Sequence, residues 1–141
     1  EDNGSKVVME FDDFTTDPGI YYSKVKLLSR KGVFIMKPGQ YGGLWKIGKH
    51  RGYKAFQQKA RVTGFRDNNR DATIDITTEE TGMFGINMHH GKNTIVVGPY
   101  SAGCQVHKEP ERLDAVLRVA ERSLEYYPNS FSYTLLEESN F

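Results

Sequence analysis

At 141 residues, 38% of them hydrophobic and 26% charged, the chain is sized for one globular domain over residues 1–141 and can bury a core without staples. Its 19 basic against 18 acidic residues leave a net charge of +1, which argues against a dedicated nucleic-acid binder. A single cysteine excludes an intramolecular disulfide framework and a multi-cysteine zinc site, and no apolar run of about 18 residues is present to span a membrane.

Most of the chain reads as short strands between turn signals. The opening EDNGSK holds no apolar segment of the signal type. KVVMEF (residues 6–11) is the first predicted strand, and TTDPG is a turn. Residues 21–29 and 33–36 are predicted to form a hairpin across Lys31-Gly32. KPGQYGGLWKIGKHRG, residues 37–52, carries five glycines and a proline, which predicts an irregular, partly exposed loop. Residues 60–65 and 73–77 flank a polar turn, and strand-like runs follow at 83–89, 94–97 and 101–106. Residues 109–127 break the pattern. Leu113, Val116, Leu117, Ala120 and Leu124 recur at helical spacing, Pro110 suits a first turn, and Glu109, Glu111 and Asp114 complement the helix dipole. A last strand is predicted at 130–136. The expected fold class is therefore mostly β (α+β), with one C-terminal amphipathic helix packed on the strands.

The stretch MHHGKNTIVVGPYSAGCQV, residues 88–106, holds two of the four histidines and the only cysteine. A thiol attacks a carbonyl as thiolate, and an unperturbed pKa of about 8.5 leaves little thiolate at neutral pH. A catalytic cysteine therefore needs a base, usually histidine, and N–H donors for the oxyanion. Cys104 is the candidate nucleophile. His89 closes a strand-like run fifteen residues earlier, room for one strand out and one back. Gly103 allows a sharp bend, so that the amides of Ala102, Gly103 and Cys104 can point at one oxygen. Adjacent strand residues face opposite sides, so His89 and His90 are not both expected at the thiol. The other reading is a buried structural cysteine.

GINMH followed by YSAGCQV resembles the active-site core of the YkuD-type L,D-transpeptidase family, over roughly residues 81–106. The resemblance is looser over the C-terminal helix and strand. It implies a β-sandwich or barrel domain acting on peptidoglycan stem peptides, with no cofactor. It maps Cys104 onto the nucleophile, His89 onto the base, Gly103 and Cys104 onto the oxyanion-hole region, and Ser101 onto the serine of the motif. His90 followed by Gly91 is the alternative base, and the carbonyl of His90 or Gly91 would orient the base. The chain departs from the family at Ala102, where a histidine is usual, and at Val106, where arginine or asparagine is common. The gap from histidine to cysteine is also short. These departures touch the substrate pocket and spare the nucleophile and base. Hydrolysis, as an L,D-carboxypeptidase or endopeptidase, is thus expected over cross-linking. The expected location is the cell envelope or periplasm, or delivery to it by secretion, a phage or an effector system. A non-catalytic wall-binding module is the rival reading. Oligomeric state is left open.

Trp45 and Arg51, in a segment mixing aromatics and cations, are candidate contacts to a glycan or an acidic stem peptide, and Gln105 is a third substrate-binding candidate. Asp67, Asn69, Asp71 and Asp75 have calcium-loop spacing, but Ala72 and Thr78 stand where that loop needs glycine and glutamate, so a polar turn is the simpler reading. His50, His89, His90, His107 and Cys104 show no metal-helix spacing, and no metal is expected.

Overall fold

The computed structural model describes residues 9–19, 31–69, 78–93 and 101–137. Nine strands and one helix lie within them: β1 (Phe14–Thr15), β2 (Val33–Met36), β3 (Gly39–His50), β4 (Tyr53–Gln58), β5 (Val62–Asp67), β6 (Thr78–Gly82), β7 (Met88–His90), β8 (Gln105–His107), α1 (Pro110–Ser123) and β9 (Phe131–Leu135). Six strands form one sheet in the order β1-β8-β7-β4-β3-β9, and three form a second in the order β2-β5-β6. The chain is thus mostly β with one helix. The predicted strands at 21–29, 73–77 and 94–97 lie outside the described residues, as do residues 6–8 of the first one. Residues 9–11 are not strand.

The apolar side chains of both sheets and the helix meet in one cluster that includes Phe34, Met36, Leu44, Trp45, Phe56, Val62, Met88, Leu113 and Leu117. Leu113, Leu117 and Ala120 form the buried stripe of α1, as their spacing predicts. Pro110 opens the helix, and the N–H of Glu109 before it donates to Asp13 Oδ2 at 3.1 Å. That carboxylate favours the positive end of the helix. The helix closes at Ser123, four residues before the predicted end.

Most of the expected loop at 37–52 is instead β3, the longest strand among the described residues. β3 pairs with β9 on one side and β4 on the other. Its glycines answer to sheet geometry. Register with β9 shifts between Tyr41 and Trp45, and Gly43 takes φ +60° within that bulge. Gly48 lies under the Gln57 side chain, whose Oε1 would be 2.3 Å from an added Cβ. The predicted strand at 83–89 shortens to Met88–His90. The preceding residues are held by a side chain instead. Gln58 Oε1 accepts the N–H groups of Phe84 and Ile86, both at 3.0 Å, and its Nε2 donates to Ala60 O and Gly82 O.

Candidate active site

β7 and β8 run parallel, with Met88 opposite Gln105 and His89 opposite Val106. Alternation along each strand then puts Asn87, His89, Cys104 and Val106 on one face. The thiol sits where β8 begins. Asn87 N donates to Cys104 Sγ at 3.4 Å, and Sγ makes a long contact of 3.8 Å to Gly85 O. His89 is two residues further along the neighbouring strand, about 7 Å of rise.

His89 is 1% exposed, and its Nδ1 lies 3.1 Å from His90 O. A carbonyl only accepts, so Nδ1 carries the proton and Nε2 keeps a free lone pair. Nε2 is buried with no hydrogen-bond partner. His50 stacks on the His89 ring, centroids 4.2 Å apart and planes 8° from parallel. Asn87 Nδ2 lies 3.2 Å from His50 Nδ1, and Asn87 Oδ1 accepts Gln58 N, so one side-chain amide ties β3 and β4 to the entry of β7. Burial pushes the His89 pKa down to about 4, opposed by the hydrogen bond His89 donates to the His90 carbonyl, and nearby His50, His90 and Arg51 push it further down. Burial pushes the Cys104 thiol up, partly offset by the Asn87 amide and the Arg51 charge. Both groups are therefore neutral at pH 7. Cys104 Sγ and His89 Nε2 share a face without a hydrogen bond between them, so there is no resting thiolate–imidazolium pair.

Ser101 is a clamp behind the thiol. Its buried hydroxyl donates to Cys104 O at 2.8 Å and accepts Gly103 N at 3.0 Å. Gly103 takes φ +135°, and a Cβ there would lie 2.4 Å from Phe34 O. Phe34 N donates to Ala102 O at 3.0 Å, which docks the turn on β2. The Gly103 amide is thus taken up by Ser101 Oγ and does not serve an oxyanion, a correction to its expected role. The Ala102 and Cys104 amides are left as candidate donors within this turn.

Two expected substrate contacts are also corrected. Gln105 is fully buried, accepts Tyr133 OH at 2.9 Å and donates to Gly103 O, because both faces of β8 are covered. Trp45 is 2% exposed and packs edge-on against Tyr133 in the core. Arg51 does reach the site. It occupies, with Gly52, the two-residue turn between β3 and β4, and lines a hollow of about 80 Å³ with His50, Tyr53, His89, His90 and Lys92. His90 sits beside the base rather than over the thiol, stacked on Tyr53 at 4.2 Å.

Asn87 and Lys92 were not singled out from the sequence, and His50 and Tyr53 only as members of the segment mixing aromatics and cations, with His50 also weighed as a metal ligand. The available signal for His50 and Tyr53 was Arg51-Gly52, a two-residue hairpin turn between strand-like flanks. His107 is apart from this group, with Nδ1 3.5 Å from Asp13 Oδ1 between Phe11 and Phe14. Of the calcium-loop candidates, Asp67 is buried and accepts Asn69 N at 3.4 Å, while Asp71 and Asp75 lie outside the described residues. Among the described residues, no three His, Cys, Asp or Glu side chains gather in a metal-binding group, and no helix is long and apolar enough to cross a membrane. Comparison of the chain with protein-family models, curated proteins and solved structures finds no match.

Proposed function

We propose that the chain is a cysteine-dependent acyl-transfer enzyme of the L,D-transpeptidase type, acting on peptidoglycan stem peptides in the cell envelope, with hydrolysis favoured over cross-linking. One observation carries the reading: a buried imidazole whose Nδ1 is fixed by a carbonyl, whose Nε2 is unpartnered, and which shares a strand face with the only thiol. A buried polar atom left unpaired costs stability, and a site that must accept a proton is one physical reason to retain it.

In this reading Cys104 Sγ attacks the carbonyl while its proton passes to His89 Nε2. The amide bond breaks, His89 protonates the leaving amine, and a thioester remains. Water then attacks the thioester, gives a proton to His89, and the thiol is regenerated. The His90 carbonyl holds the ring throughout, and the His50 stack limits its tilt. The chemistry of the stem-peptide substrate comes from the resemblance around residues 81–106.

The test is mass spectrometry of purified muropeptides incubated with the protein or with Cys104→Ala. Loss of a terminal D-residue or splitting of cross-linked dimers, absent in the mutant, is expected. Larger adducts would instead indicate transpeptidation. Unchanged muropeptides would favour the second reading, a wall-binding module with an inert thiol. The raised thiol pKa is the observation on that side.

A further inference from the structure

Two non-glycine residues that line the hollow beside His89 hold left-handed backbone, Arg51 at φ +46° and Lys92 at φ +57°. Such conformations are uncommon outside glycine and concentrate where the surrounding structure imposes them. Arg51 is forced by the tight β3–β4 turn, and Lys92 by the turn that leaves β7, where Lys92 N donates to His90 Nδ1 at 3.3 Å. Both line the same small hollow with His50, Tyr53, His89 and His90. Neither has an ion-pair partner among the described residues, whereas Lys37, Lys54, Arg66 and Arg112 do. The Arg51 charge bears on Cys104, His89, His50 and Tyr53 alike. The carboxylates of Asp114 and Glu111 bear on His90, at the helix side.

We propose that this hollow is a carboxylate subsite, and that it takes the free carboxylate of the residue leaving from the scissile amide. The inference rests on the acyl-transfer reading above and narrows it to removal of a terminal amino acid. At about 80 Å³ the hollow suits a carboxylate and a small side chain, given that about 10–15 Å³ of such space holds one water. A carboxylate on the leaving residue is separated from the scissile nitrogen by one carbon. Held by Arg51 and Lys92, it sets the leaving amine where His89 Nε2 returns its proton. The same contacts do nothing for a peptide whose terminus is capped, so the subsite selects chain ends.

The experiment uses a synthetic stem peptide ending in L-lysyl-D-alanine, as free acid and as C-terminal amide. Binding to the full chain carrying Cys104→Ala is followed by isothermal titration, and turnover of both peptides by the wild-type chain is followed by mass spectrometry. The free acid is expected to bind about tenfold tighter or more than the amide, since charge-assisted bonds are lost on amidation. The double substitution R51N/K92N should erase that preference; asparagine tolerates left-handed backbone, so both turns survive. Equal affinities, or no binding of either peptide, overturn the subsite. Preferential binding of the acid without turnover of either peptide keeps the subsite and overturns the acyl-transfer reading. Equal turnover of acid and amide overturns the subsite and keeps the enzyme.

Discussion

A thiol with a lowered pKa and a thiol beside a neutral base call for different experiments, and Cys104 is the second kind. Burial lifts its pKa above that of a free thiol, while His89 stays uncharged down to about 4. Among the described residues, Arg51 is the one cation that offsets the burial at the sulfur. Alkylation by iodoacetamide should therefore be slow at pH 6 and rise about tenfold per pH unit through neutrality, because only thiolate reacts. A flat, fast profile from pH 5 to 8 would mean a resting ion pair and would sink this account. Slow alkylation is consequently no argument against the proposed reaction, in which the thiol loses its proton only with substrate in place.

At the scale of elements, the segment between β6 and β7 depends on one side chain. Gln58 makes four hydrogen bonds to backbone between Ala60 and Ile86, and it stands in for a strand that this segment lacks. Gln58→Leu would leave the buried amides of Phe84 and Ile86 unpaired, each worth about 1–3 kcal/mol. The expected loss of stability is about 3 kcal/mol in urea denaturation, and the Cys104 thiol should alkylate faster, since Gly85 and Asn87 belong to the loosened run. A loss under about 0.5 kcal/mol would show that water replaces the amide. This dependence was hidden in the sequence. Residues 83–89 have strand composition, and only long-range partners show that a glutamine 25 or more residues earlier completes them. α1 was legible because its apolar stripe is local and periodic. β3 was not, because glycine marks both loops and bulges, and only the pairing of Trp45 with Phe131 and of Gly48 with Ala55 separates the two. At the site, His89, Cys104 and Ser101 were legible from spacing and motif. His50 was not, since it arrives through a hairpin 37 residues from Asn87.

Across the whole molecule, the same burial that keeps His89 neutral makes the fold sensitive to acid. A histidine with a folded pKa of about 4 and an unfolded value of 6.5 binds a proton only on unfolding within that window. The unfolded state therefore takes up more protons, and stability falls as pH drops from about 6.5 to about 4. For His89 alone the full loss is about 3 kcal/mol. His50, His90 and His107 are shifted in the same direction, chiefly by burial, and add to it. Asp13, held below its usual 3.8, costs stability only at lower pH, where its carboxylate must protonate. Urea midpoints should thus fall steadily between pH 7 and pH 4.5, and His89→Gln should reduce that slope by nearly one proton's worth. A midpoint unchanged over this range would contradict the buried, neutral imidazole on which the proposed chemistry depends.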